Sequence, residues 1–362
     1  MTERAPMPRR RSVVGGLLAG FATVVGAAPA LASGRGLAEH IGGEVEPEWS
    51  ARSPLPWAVQ EIYATVARGL LYTAGGLRAG PRGFEIEDRT GIYDPAADLW
   101  REGPRLPVAL HHPMLVSDGQ GRVHLFGGFE RSARGDWTST ATHLILDEAR
   151  GWLEAPSGPM PQALAETVGV RLGEHIHLVS GRRADGGNGQ WNDHADVDTH
   201  LVFDAREGRW REGAPCPMAR NSACGAQIDG QLYLAGGRTV SGGGTGRLDR
   251  YDPASERWET LAPIPFSARS GQQVGGGLAC GVLDGRLVVF GGEWFGPNRT
   301  GGVFAETFIY DPASDRWEPG PDMMTPRHGL AAGTVDGVIL AVAGAASVGA
   351  GLVTGAVEAF AL

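Results

Sequence analysis

Short apolar runs recur along the chain in groups of four, and a tryptophan opens the last run of each group. In the fourth group the runs are Ala223 to Ile228, Gln231 to Ala235, Leu248 to Tyr251 and Trp258 to Leu261. Runs this short, bounded by Gly, Pro, Asp and Ser, predict strands rather than helices. Asp229-Gly230 joins the first two as a tight hairpin, and Asp284-Gly285 and Asp336-Gly337 repeat it. The second run ends in a small-residue pair, where the backbone needs freedom. These pairs are Gly75-Gly76, Gly127-Gly128, Ser180-Gly181, Gly236-Gly237, Gly291-Gly292 and Ala343-Gly344. The third run ends in Tyr93-Asp94, Leu146-Asp147, Phe203-Asp204, Tyr251-Asp252 or Tyr310-Asp311, and a tryptophan follows six or seven residues after the aromatic or leucine.

Trp49, Trp100, Trp152, Trp210, Trp258 and Trp317 are separated by 51, 52, 58, 48 and 59 residues. A unit of about fifty residues with four strands predicts a propeller of four-stranded blades. The sixth copy reaches its aromatic position at Phe360, and Trp49 supplies the tryptophan it lacks. The expected fold is therefore all-β: a six-bladed propeller whose last blade is closed by the N-terminal strand. Closure of that kind removes the sheet edges that invite aggregation.

The combination of Gly-Gly, Tyr-Asp and Trp at these spacings resembles the kelch family of β-propellers, over essentially the whole of residues 49–362. No second pattern interrupts the repeat, so this span reads as one domain despite the length of 362 residues. Residues 33–48 read as a linker. In residues 1–32, Arg9, Arg10 and Arg11 precede a Gly/Ala-rich apolar stretch that ends in Ala30-Leu31-Ala32, the pattern of a cleaved twin-arginine export signal. The expected location is periplasmic or secreted, with no membrane span after cleavage. Without residues 1–32 the chain carries 28 basic and 40 acidic residues, a net charge of −12. Such a body is expected to be soluble, monomeric and a poor partner for nucleic acid. Cys224 and Cys280 lie in matching Ala-Cys-Gly stretches of adjacent copies, so a disulfide and buried free thiols are both open.

In a four-stranded meander, the loops from strand two to three and from strand four to the next blade emerge on one face. Those after the small-residue pairs are long, with offsets of 14 to 22 residues from the pair to the next aromatic or leucine. Long loops on a rigid scaffold mark the working face. Two sets should converge there at the channel mouth. One follows the small-residue pairs: Leu77, Phe129, Arg182, Arg238, Glu293 and Ala345. The other opens each innermost strand: Gln60 and Glu61, His111 and His112, Glu166, Arg220 and Asn221, Arg269 and Gln272, Arg327 and His328. The arginines, Arg299 among them, favour an anionic or polyhydroxylated ligand.

Gly292-Glu293-Trp294-Phe295-Gly296-Pro297-Asn298-Arg299-Thr300 resembles the Gly-Glu, then Arg-Thr, segment of exported bacterial kelch sialic-acid mutarotases. That resemblance implies that Glu293 shuttles a proton at the anomeric hydroxyl and Arg299 holds the substrate carboxylate. His328 or His112 would be the acid–base partner and Trp294 a stacking surface. The ligand-binding set expected around them is Arg182, Arg238, Asn221, Arg269, Arg327, Glu61 and Glu166. His194, Asp196, Asp198 and His200 alternate as metal ligands could, but Thr142-His143-Leu144 repeats Thr199-His200-Leu201, so strand packing explains His200. No metal and no cofactor is expected. The alternative to a sugar isomerase is a non-catalytic module that binds a glycan, peptide or protein through the same face.

Overall fold

The computed structural model describes residues 46–81, 83–184, 193–349 and 351–362, without the side chain of Arg299. The expected export signal falls outside those residues, as does most of the expected linker. Six four-stranded antiparallel sheets form the blades of a β-propeller. Blades 1 to 5 span 64–103, 114–154, 168–212, 224–261 and 278–320. Blade 6 runs outward from Ala331–Val335 through Val338–Ala345 and Val353–Ala361 to Glu48–Arg52. The N-terminal strand thus closes the last blade. Among the described residues no helix is long and apolar enough to cross a membrane.

The repeat marks act as their chemistry requires. Trp49 stands opposite Phe360, as Trp100 does Tyr93, Trp152 Leu146, Trp210 Phe203, Trp258 Tyr251 and Trp317 Tyr310. The indole N–H of five of them reaches back to the preceding blade. Trp100 donates to Ser53 O at 2.9 Å, Trp152 to Thr90 Oγ1 at 2.9 Å and Trp258 to Ala214 O at 2.8 Å. Trp317 donates to Ala262 O at 2.8 Å, and Trp49 to Thr307 Oγ1 at 3.1 Å. Each of these five tryptophans therefore fastens one blade to the last. Apolar side chains gather in six clusters, one at each blade interface, so the core is a ring rather than a ball.

Asp229 and Gly230 both have positive φ, 49° and 78°, as the two-residue hairpin demands. Gly127 shows why its pair is small: a Cβ there would lie 2.1 Å from Leu164 O of the next blade's entry segment.

Candidate acid–base site at the channel mouth

The residue after each small-residue pair meets the opening segment of its own blade. Gln60 bridges Leu77, His111 bridges Phe129, Ala165 bridges Arg182, Asn221 bridges Arg238 and His328 bridges Ala345. In blade 5, Glu293 N–H donates to Gly276 O at 3.1 Å. This corrects the expectation for blade 5, where Arg269 and Gln272 were placed at the mouth. A longer entry loop, closed by its own Phe266–Gln273 bridge, carries Arg269 out to solvent, where it pairs with Asp322.

The next residue of each opening segment is Glu61, His112, Glu166, Ser222, Gly277 or Gly329, and all six have left-handed backbone, with φ from 50° to 72°. Their amides link blade to blade around the axis: Glu61 N–H to Gly329 O, His112 N–H to Glu61 O, Gly277 N–H to Ser222 O, and Gly329 N–H to Gly277 O, at 2.7–3.0 Å. A left-handed conformation costs a non-glycine residue about 1 kcal/mol or more. Four such residues in one belt mark a site the fold strains to build.

From this belt and the strands beside it, six side chains form a closed ring of alternating acid and base, one from each blade. Glu61 Oε2 lies 2.6 Å from His112 Nε2, and that nitrogen lies 3.8 Å from Glu166 Oε1. Glu166 Oε2 is 4.0 Å from Arg238 Nη2, and Arg238 Nη1 is 2.5 Å from Glu293 Oε1. Glu293 Oε2 is 3.4 Å from His328 Nε2, and His328 Nδ1 is 3.9 Å from Glu61 Oε1. Glu166, His112, Glu293 and His328 are buried, whereas the side chains of Glu61 and Arg238 keep 12% and 20% of their surface and are the most open of the ring.

Hydrogen-bond roles locate the protons. His111 Nε2 faces Asp136 O at 3.0 Å and must be N–H. Burial, then His112, pushes His111 down to about 3, so it is neutral and its Nδ1 accepts. His112 Nδ1, 2.8 Å away, must then donate. A bare Nε2 lone pair would repel a carboxylate oxygen 2.6 Å away, so Nε2 carries hydrogen as well. The approach is too oblique for a directed bond and is an ionic contact. Burial would raise the Glu61 carboxyl, but favourable contacts led by His112 outweigh it and hold the group well below the usual range. Burial likewise opposes ionisation of Glu166, but Arg182, His112 and Arg238 bring it down to about 2. The carboxylates Glu166, Glu293 and Glu61 hold the proton on Arg238 more firmly than usual, against its burial.

His328 is the other way round. Its Nε2 faces Ser347 O at 3.1 Å and so carries hydrogen, while Nδ1 has no hydrogen-bond partner among the described residues. Glu293 is engaged on both oxygens, by Arg238 and by Gly349 N–H at 2.8 Å.

Other expected residues buttress the ring or lie apart from it. Arg182 binds Glu166 Oε1 at 2.7 Å and lies over Phe129 and Trp137. Asn221 Oδ1 accepts from Arg238 Nε at 3.4 Å, and the neighbouring Ser222 hydroxyl donates to Glu166. Arg327 is a second correction: fully buried, it bonds Glu358 and the carbonyls of Thr325, Ala341 and Ala343, tying blade 6 together. Arg220 does the same in blade 4 through Asp249. Trp294 is a third: strand alternation turns it away from the axis, against the core between blades 4 and 5 and over Gly302. The Arg299 side chain lies outside the described residues. The set at 194–200 is divided among separate partners: His194 turns to Arg182, Asp196 accepts from Asn221, and His200 bonds His177 at 2.8 Å.

A model of the kelch motif matches residues 219–265 and 275–324, blades 4 and 5 with their entry loops. Two copies of the kelch motif are thus recognised within the chain. Its relatives include Kelch-like protein terF of Aspergillus terreus, 27% identical over 73% of this chain and 54% of that protein. Kelch-like protein 35 of Mus musculus is 29% identical over 74% and 43%. This kelch propeller spans about half the length of the curated relatives it matches. Among solved structures, one titled "Structure of YjhT" superposes with a TM-score of 0.68 at 14% identity, covering 85% of this chain and 96% of that one. The likeness is one of fold.

Proposed function

We propose that this kelch propeller binds a small polyhydroxylated or anionic ligand at its channel mouth and isomerises it by acid–base catalysis, as in sugar mutarotation. The observation that carries this reading is the six-membered ring of alternating acid and base. Opening and reclosing a sugar hemiacetal needs one proton taken from the anomeric hydroxyl and one delivered to the ring oxygen. His328 Nδ1 offers the accepting lone pair, and the Glu61–His112 pair holds a proton to give. Arg238, the most open cation of the ring, would steer a ligand carboxylate. Glu293, already bonded on both oxygens, would hold Arg238 and His328 in place rather than move the proton itself. Anomer-resolved NMR of N-acetylneuraminate tests this: exchange should be faster with the protein and slower again with His328→Ala. Exchange equal to buffer would dismiss the isomerase.

A second reading rests on a different observation. Phe84, Val108, Phe266, Phe295, Met324 and Leu352 are exposed large apolar residues, and all lie in the connections of the working face, Phe84 and Phe295 on small hairpins within them. They suit a peptide or protein partner. Pull-down from culture medium that is lost on Phe266→Ser and Phe295→Ser, with no mutarotation, would favour it.

A further inference from the structure

Below the charged ring, the inner strands line an axial cavity of about 80 Å3, whose lining includes Tyr63, Met114, Leu115, Cys224, Leu278 and Cys280. Cys224 opens the inner strand of blade 4, Cys224–Ile228, and Cys280 lies in that of blade 5, Leu278–Leu283. The glycines beside them show which way each thiol points. A Cβ on Gly225 would run into Val168 and Val170 of blade 3, so Cys224, one residue earlier, is directed the opposite way, toward blade 5. A Cβ on Gly281 would run into Thr334 and Ile339 of blade 6, so Cys280 is directed back toward blade 4. Both side chains pack in the one apolar cluster between those blades and line the same cavity.

We propose that Cys224 and Cys280 are a redox pair whose disulfide staples blades 4 and 5 across the axial cavity. Cys280 is the partly exposed member and alone of the two also lines the wider opening, about 350 Å3, further along the channel. A low-molecular-weight disulfide entering there is attacked by the Cys280 thiolate, which forms a mixed disulfide and releases one small thiol. Cys224 then attacks the Cys280 sulfur and releases the second. Two S–H bonds and the small molecule's S–S bond are exchanged for one protein S–S bond and two small thiols. The two protein sulfurs are oxidised and the small disulfide is reduced. Cys216 takes no part, since its thiol donates to Met218 O at 3.1 Å elsewhere in the blade 3–4 interface.

The full chain would be treated with hydroxyethyl disulfide or with dithiothreitol, denatured, alkylated and weighed. Reduced protein should take three alkyl groups. Oxidised protein should take one, on Cys216, with a peptide linking 224 to 280 and a raised Tm. Cys216→Ser should still form the link. Cys280→Ser and Cys224→Ser should each abolish both the link and the difference in Tm. Three free thiols after oxidation, a mixed disulfide that persists on Cys280, or a bridge to Cys216 would each overturn the proposal.

Discussion

Truncating Trp49 to alanine should cost more than truncating any tryptophan within blades 1 to 5. Its side chain is buried between blades 5 and 6, with ring centroids 5.0 Å from Phe290 and 5.1 Å from Phe360, and its N–H bonds Thr307 across the interface. Removing a buried tryptophan costs about 3–5 kcal/mol through lost transfer energy and the cavity left behind. The buried Thr307 hydroxyl loses its donor, which adds about 1 kcal/mol. Unfolding entropy of about 2.1 cal/mol/K per residue over residues 49–362 converts 4–6 kcal/mol into a Tm fall of roughly 6–9 °C.

Trp100 is the comparison that isolates closure. It makes the same stack, 4.9 Å from Tyr93, and the same backward bond, to Ser53 O, but it is less buried and its strand is held by continuous chain on both sides. Trp100→Ala should cost about 1–3 kcal/mol. In Trp49→Ala the strand 48–52 has no chain connection to blade 6 and peels away, which exposes Val353–Ala361 as a free edge. Urea unfolding followed by tryptophan fluorescence, with aggregation followed by light scattering, reads both effects. Equal midpoints for the two variants, with no added aggregation, would show that the N-terminal strand does not hold the ring shut.

Acid should weaken the fold well before carboxylates titrate. Burial first, then a neighbouring imidazole, holds His111, His143 and His177 down to about 3, against 6.5 in a free chain. Depressed folded values mean that the unfolded chain takes up these protons first. The stability is whole above pH 6.5 and drains as pH falls toward 3, by about 2 kcal/mol per histidine at pH 5. A urea midpoint unchanged between pH 7.5 and 5 would refute this. Glu166, brought down to about 2, adds a second loss below about pH 4.5. Glu166→Gln leaves Arg182 and Arg238 without their shared carboxylate and should cost about 3–5 kcal/mol, whereas Arg269→Ala at the exposed Asp322 pair should cost less than about 1, both read by thermal melts. If residues 1–32 act as a twin-arginine signal, changing Arg9, Arg10 and Arg11 to lysine should leave the precursor in the cytoplasmic fraction on immunoblots, and unchanged export would count against that route.

The fold was legible because propeller geometry repeats, so each local rule could be checked against five other copies. Glycine with positive φ, a tryptophan opposite an aromatic or leucine, and an aspartate accepting turn amides are each weak signs alone and strong at a fixed spacing. The site was legible only where a residue kept its offset from such a mark. Glu61, His112, Glu166, Arg238, Glu293 and His328 did so, and all six appear in the ring. Arg269 failed because the extra residues of the blade 5 entry loop break the offset, and the true counterpart, Gly276-Gly277, has no side chain to attract notice. Arg327 failed for another reason. Its offset was right, but neighbours in an opening segment point in different directions, and only the belt of left-handed residues decides which one faces the axis. His328 turns to the ring, and Arg327 is spent on Glu358 and backbone carbonyls. Polarity in sequence cannot separate an arginine that recognises a ligand from one that completes a buried strand. What separates them is how far its partners already use its N–H groups, and by that test Arg238, with a fifth of its side-chain surface still open between Glu166 and Glu293, is the described arginine of the ring that would meet the ligand of the proposed function.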